Sequence, residues 1–131
     1  MSIVDEVMEA VIALAQATQP FATIRRGPLS AGSAISMELG PSSPESTFLT
    51  KNNVMGLDVV LNGKHADLDV LSEGLTLIHD RLTRAKSYPR AAGWQLTNIW
   101  TTSLPRLIGR EANNSWLMGS ALSVEFFYKG V

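Results

Sequence analysis

The last segment of the chain, from Trp116 to Tyr128, has a sharply two-sided pattern of side chains. One set of alternating positions is apolar and is broken only by Ser120. That set is Trp116, Met118, Leu122, Val124, Phe126 and Tyr128, and the other set includes Gly119, Ala121, Ser123, Glu125 and Lys129. Because alternate residues of a strand point to opposite faces, the pattern predicts a long strand with one covered face and one largely open face.

Two amphipathic segments can supply the cover for that strand. The first occupies the N-terminus, where Ser2 is the predicted cap and Pro20 closes the segment. The second carries an apolar residue at every third or fourth position from Leu68 to Leu82. Gly74 lies in the middle of this helix and should cost about 1 kcal/mol relative to Ala, which a close helix–sheet approach would explain.

Four further strands are predicted from alternation and from flanking turn residues. They cover Phe21–Arg26, Ile35–Leu39, Met55–Leu61, and Trp94 to about Ser103. The simplest arrangement of these elements is a single α+β domain over residues 1–131. It has a mostly antiparallel β-sheet with the two α-helices packed on one face.

Two connections are predicted to lie outside the helices and strands. Residues 42–53 are polar and form a flexible arm or loop, in which Phe48 and Leu49 need an apolar partner. These two residues either fold back on the core or dock on a neighbouring subunit. Residues 104–114 form a second long loop or a hairpin.

The open sheet face is the main candidate for an interaction surface. Its predicted lining is Thr97, Ile99, Thr101, Ser123, Glu125 and Phe127, whereas the three tryptophans are predicted to lie in the core. This mixed composition suits packing against another subunit at least as well as contact with water. The candidate interface residues are Phe48, Leu49, Lys51, Ile99, Arg106, Ile108, Arg110 and Phe127.

The sequence predicts no catalytic, cofactor-binding or metal-binding residues. The chain has no cysteine, and the spacing of His65 and His79 is not that of a metal-binding pair. Ser120 is expected to be a buried, hydrogen-bonded hydroxyl, and no phosphate-binding glycine motif occurs. We therefore expect no enzyme activity and no cofactor.

Charge and hydropathy also bear on the partners. A formal net charge of −1 gives no basic excess for binding nucleic acid, so no sequence-specific nucleic-acid partner is expected. No apolar run approaches the roughly 18 residues that a membrane span needs, so no membrane partner is expected.

Several features, taken in chain order, resemble the tail-terminator-like (head–tail joining) minor capsid proteins of tailed phages and prophages. They are an extended arm at Pro41–Leu49, a helix ending in Leu75–Leu82, the Tyr88-Pro89 element before Gly93–Leu96, the stretch Pro105–Glu111, and a last strand with Trp116, Gly119 and Val124. The resemblance covers roughly residues 35–131.

This resemblance implies a virion protein of the tail or neck, made in the bacterial host cytoplasm. Such proteins form a ring, typically sixfold, that caps the tail tube and joins the tail to the head. The implied partners are further copies of the chain, the tail tube protein and head-connector proteins, and the family supplies no catalytic residues. Two alternatives stay open: another neck component, such as a head-completion or stopper protein, and a small-molecule-binding or hydrolytic α+β domain with a pocket between helices and sheet.

Overall fold

The computed structural model describes residues 2–40 and 54–128. The helices are α1 (Ile3–Gln16) and α2 (Leu68–Thr83). The strands are β1 (Ile24–Arg26), β2 (Ala34–Leu39), β3 (Val54–His65), β4 (Arg90–Ala91), β5 (Trp94–Arg110) and β6 (Trp116–Tyr128). The arm predicted over residues 42–53 lies outside the described residues.

The strands of the described residues form one sheet in the order β1-β2-β3-β6-β5-β4. All neighbouring pairs are antiparallel except β1 and β2, which run parallel. β6 lies in the middle and pairs with β3 without interruption, from His65 opposite Trp116 to Val54 opposite Phe127. The predicted α+β fold with a mostly antiparallel sheet is therefore confirmed.

Both helices begin at a side chain that caps the first turn. The hydroxyl of Ser2 accepts a hydrogen bond from the backbone N–H of Asp5 at 3.1 Å, as its predicted role requires. The carboxylate of Asp67 accepts from the N–H groups of Asp69 and Val70 at 2.9 and 3.2 Å. These bonds satisfy backbone donors that the helix itself leaves free.

The core lies between the helices and one face of the sheet. Its fully buried members from α1 and α2 include Val7, Met8, Val11, Leu71, Leu75 and Ile78, and those from the central strands include Leu57, Val59, Leu61, Leu122, Val124 and Phe126. All of them belong to one hydrophobic cluster. The two-sided pattern of β6 is thus explained, because its apolar side faces the helices.

The sheet curls around α1. Arg26 on β1 donates to the carboxylate of Asp5 at 2.9 Å, and the indole N–H of Trp94 on β5 donates to Glu6 Oε1 at 3.2 Å. β1 and β5 are separated by three strands in the sheet order, yet both contact this one helix. The sheet must therefore bend toward the helices to bring its two sides to α1.

β5 does not keep a regular alternation against β6. Its pairing shifts at four places, and the first shift lies between Leu96 and Asn98. Each extra residue reverses which side chains face the core. Ile99 is consequently 1% exposed, opposite Val124, whereas Trp100 is 41% exposed, opposite Ser123. The predicted placement of Ile99 on the open face and of Trp100 in the core was wrong for this reason.

The predicted loop over residues 104–114 is also different in the structure. β5 continues through Arg110, and only residues 111–115 form the turn into β6. Pro105 and Gly109 suggested a loop, but both fall beside register shifts. A strand tolerates proline and glycine at such places because regular ladder hydrogen bonding is already interrupted there.

The close approach at Gly74 is to the segment after α1 and not to the sheet. A Cβ atom at position 74 would lie 2.8 Å from Cδ2 and Cε2 of Phe21. Phe21 therefore packs directly on the helix backbone, and β1 begins only at Ile24 instead of at Phe21 as predicted. The same ring makes an edge-on contact with His65 at a centroid distance of 5.0 Å.

Gly74→Ala is expected to destabilise the protein, although Ala ordinarily favours a helix by about 1 kcal/mol over Gly. The new methyl group would displace the Phe21 ring. In a Phe21→Ala background the same substitution should become neutral or stabilising, and Thr76→Ala serves as a control on the same helix. Urea unfolding of the four variants measures the coupling; equal effects of Gly74→Ala in both backgrounds would contradict the contact.

Candidate assembly surface

The outer face is the side of the sheet turned away from the helices. Trp100 and Phe127 lie on it, opposite Ser123 and Gln95, and are 41% and 40% exposed. Beside them the hydroxyl of Thr97 donates to Glu125 Oε1 at 2.9 Å. The prediction that Thr97, Ser123, Glu125 and Phe127 line this face is confirmed. Thr101 instead points toward the helices, because it follows the first register shift.

The far end of β5 exposes three large apolar residues on its two faces, which we call the hairpin patch. It consists of Leu104, Leu107 and Ile108, whose exposed fractions are 74%, 51% and 62%. Leu107 is paired with Met118 on the helix side, whereas Ile108 lies over Gly119 on the outer face. Ile108 reaches over Gly119 of β6, where a Cβ atom would lie 2.7 Å from its Cδ1. Exposed apolar clusters of this kind mark interaction sites more often than scattered single residues do.

Charged contacts hold the turn beside the hairpin patch. Lys64 on β3, with its side chain only 7% exposed, forms an ion pair with Glu111 at 3.1 Å between Nζ and Oε1. The guanidinium of Arg110 lies 4.1 Å from the ring centroid of Trp116, in a cation–π contact. Because a buried ammonium needs an opposite charge, Glu111 ties the turn to the middle of the sheet.

The structure brings together only some of the predicted interface residues. Arg106 is paired with Gly119 of β6, and the side chain of Ile108 lies over the same glycine. Arg110 is turned onto Trp116, and Phe127 occupies the other end of β6. Phe48, Leu49 and Lys51 lie outside the described residues.

Two features of this surface were missed by sequence reasoning. Ile99 is buried, so its selection as an interface residue was wrong, and Trp100 takes the exposed position beside it. Leu104 and Leu107 were assigned to a loop without a role. The sequence does contain a signal for them, because three large apolar residues fall within the five positions 104–108 of a segment that also carries arginines.

Ile99→Ala and Ile108→Ala form a matched test of these placements. Ile99 is fully packed, so its truncation should lower the free energy of unfolding by about 2–4 kcal/mol. Ile108 is 62% exposed, and its truncation should change stability by less than about 1 kcal/mol. Chemical unfolding of both variants measures this difference, and a larger loss for Ile108→Ala would contradict the register of β5.

A buried polar network joins α2 to the sheet. His79 Nδ1 lies 2.8 Å from the hydroxyl of Thr101, and His79 Nε2 lies 2.7 Å from the hydroxyl of Ser120. Ser120 in turn donates to the carbonyl oxygen of Leu61 at 3.0 Å. A hydroxyl has one proton, so Ser120, which donates to Leu61, must accept from Nε2–H of His79. In the neutral ring Nδ1 is then unprotonated and accepts from the Thr101 hydroxyl.

This network places the proton of a neutral His79 ring on Nε2. Burial lowers the pKa of His79 to about 4, in agreement with the neutral form. Ser120 is buried and hydrogen-bonded as predicted. The arrangement is a structural link, since both ring nitrogens and the serine hydroxyl are committed to partners inside the protein.

Stability should fall as the pH drops from about 6.5 toward 4. The unfolded chain protonates His79 near pH 6.5, whereas the folded protein resists protonation until about pH 4. The unfolded state therefore binds more protons in this range, which costs the fold on the order of 3 kcal/mol. Urea unfolding at pH 7 and pH 4.5 should show a much smaller loss in His79→Gln, whereas the control His65→Gln should behave like the native protein. Equal pH dependence in all three proteins would refute the assignment.

Three further kinds of feature were sought among the described residues: metal sites, pockets and membrane-spanning helices. No group of three or more histidine, aspartate or glutamate side chains in residues 2–40 and 54–128 is placed to hold a metal ion. Five surface depressions of about 260–550 Å³ are lined by described residues that include one carboxylate, Glu73, and no histidine. Neither helix of the described residues is long and apolar enough to cross a membrane.

Comparison with known proteins shows a solved structure with a similar fold. No protein-family model matches the chain, and no curated protein matches it. The chain is similar to a solved structure described as the virion of a native gene transfer agent (GTA) particle, with a TM-score of 0.66. The two chains are 17% identical, and the match covers 97% of this chain and 99% of the other. At this identity the likeness establishes a shared fold over the whole domain.

Proposed function

We propose that this protein is a structural component of a phage-like virion. The observation that carries the proposal is the end-to-end match in fold with a chain of the gene transfer agent virion. The match covers 97% of this chain and 99% of the other. A neighbour from a phage-like particle also agrees with the broader class of phage structural proteins that the sequence features resemble.

Within the virion, the proposed role is that of a tail terminator, a minor capsid protein at the head–tail junction. Copies of the chain form a ring that caps the tail tube and joins it to the head. The ring has six subunits, as is typical of the family that the sequence features resemble. The partners of the chain are other copies, the tail tube protein and head-connector proteins. This work is geometric and requires no catalytic residue and no cofactor.

The surface of the molecule supports such a role. The hairpin patch presents three apolar side chains on a strand that the Lys64–Glu111 pair holds in place. The outer face adds Trp100 and Phe127 among polar residues. A ring needs two different surfaces on each subunit that meet in a closed circle, and exposed apolar groups on a rigid support suit that need.

Purified particles test the proposal directly. The protein should be detected in them by mass spectrometry and located by immunogold labelling where tail meets head. Ile108→Asp should fold normally yet fail to join tail tubes in negative-stain images, whereas the exposed control Ser87→Asp should join them. Absence of the native protein from purified particles would defeat the proposal.

Tail length separates a terminator from another neck component. If the ring stops polymerisation of the tube, particles made without the protein should carry tubes that are longer than normal. Tubes of normal length with unattached heads would instead assign the protein to head completion or to a stopper.

A further inference from the structure

Positive charge is concentrated in one part of the surface, between the end of α2 and the start of β5. Four exposed cations that lie close together in the chain form it, and we call them the basic track: Arg81, Arg84, Lys86 and Arg90. The whole chain has 12 acidic and 11 basic residues. The local excess of positive charge is therefore a matter of placement and does not follow from the composition.

Three adjoining depressions connect the members of the basic track. Arg81, Arg84 and Lys86 line the first, of about 290 Å³, which shares Ser87 with a second depression of about 550 Å³. Arg90 lines both the second depression and a third of about 300 Å³. None of the described residues that line the three depressions is acidic. The four cations thus follow one path across the surface.

Two carboxylates adjoin the basic track, and each has a partner of its own. Asp80 lies 3.0 Å from Nε of Arg84, and Glu125 accepts a hydrogen bond from the hydroxyl of Thr97 at 2.9 Å. A guanidinium carries five N–H donors, so Arg84 keeps donors beyond the one that faces Asp80. The other three cations form no ion pair with a described residue, and the track keeps a net positive charge.

The helix dipole explains only one member of the basic track. A cation in the last turn of a helix is stabilised by the partial negative charge there, and Arg81 occupies that turn of α2. The effect falls off within one turn. Lys86 and Arg90 lie beyond the C-cap at Arg84, so their placement on the same path has another reason.

The connector that carries Lys86 is fixed to the domain at its far end. The hydroxyl of Tyr88 donates to the carbonyl oxygen of Leu82 at 2.8 Å, and the N–H of Leu96 donates to the carbonyl oxygen of Pro89 at 3.1 Å. β4 then pairs with β5. The cations therefore project from a fixed backbone, which suits a ligand with a regular row of negative charges.

We infer that the basic track binds the phosphate backbone of duplex DNA without reading its sequence. Lysine and arginine side chains bind phosphates by releasing condensed counterions, and this affinity requires no contact with the bases. Because the net charge of the chain is −1, such binding depends on this one surface. The inference goes beyond the proposed function and rests on it only in the choice of DNA among polyanions, since a phage-like particle carries DNA.

Fluorescence anisotropy with a labelled duplex oligonucleotide of arbitrary sequence tests the inference. Contact of four cations with phosphates gives a slope of about −3.6 for the logarithm of the association constant against the logarithm of salt concentration. Affinity should accordingly fall about 150-fold between about 50 mM and about 200 mM NaCl. A duplex of scrambled sequence should bind equally well.

Two double variants with the same net charge distinguish the basic track from general electrostatic attraction. Arg81→Gln with Lys86→Gln should reduce the slope to about −1.8, so that the same rise in salt costs only about 12-fold in affinity. The matched control, Arg25→Gln with Arg106→Gln, removes two exposed cations outside the track and should keep the native slope. Circular dichroism spectra of both variants should match that of the native protein.

NMR spectroscopy of the native protein locates the contact without any substitution. When the duplex is added, the largest changes in amide chemical shift should fall within residues 81–90. Largest changes in another part of the chain would overturn the inference.

Three outcomes of the anisotropy measurements would also overturn it. The first is a lack of binding to the duplex at about 50 mM NaCl. The second is an equal loss of affinity in the two double variants, which would mean that no particular surface is used. The third is binding of poly-L-glutamate as tightly as of the duplex, which would assign the surface to an acidic protein.

These outcomes are separable from a failure of the proposed function. Binding of DNA through the basic track by a protein that is absent from purified particles would keep the DNA site and reject the virion role. A protein that is present in particles but does not bind the duplex would keep the virion role and reject the DNA site.

Discussion

β6 is paired with a strand on both sides along its length. The difference in register between its two neighbours, β3 and β5, determines the curvature of the sheet. Against β3 the register is continuous from Trp116 to Phe127, whereas against β5 it shifts four times. β5 has 17 residues where β6 has 13, so the surplus must be absorbed in bulges that bend the sheet and increase its twist. The bend brings both β1 and β5 to α1, and the apolar side chains near the last bulges of β5 are exposed.

The polar groups of the molecule fall into two kinds with different consequences. Inside, the ring of His79 is satisfied at both nitrogens, so α2 is fixed against the sheet by directional bonds as well as by apolar packing. Outside, Glu73 and Arg106 remain without a described ionic partner beside exposed apolar residues. The polar groups around His79 are therefore paired inside the protein, whereas these two surface charges have no ionic partner among the described residues.

How much the sequence could predict depends on whether a segment follows one period throughout. β6 obeys a period of two and α2 a helical period, so their faces were assigned correctly. β5 changes phase after Leu96, and because Ile99 and Trp100 are both apolar, either phase looks acceptable in the sequence. Contacts between residues that are distant in the chain leave no local pattern in the sequence. The packing of Phe21 on Gly74 and the ion pair of Lys64 with Glu111, which lies 47 positions further on, are visible only in the structure.

The ion pair between the buried ammonium of Lys64 and the partly exposed carboxylate of Glu111 also constrains how such a chain can change over time. Loss of Glu111 alone leaves the buried Lys64 ammonium without an opposite charge. Loss of Lys64 alone leaves the Glu111 carboxylate without its cationic partner. Exchange of both for well-fitting apolar residues is energetically mild by comparison. The two positions are therefore expected to drift through evolution as a unit, so that in divergent chains of this fold a substitution at 64 is accompanied by one at 111.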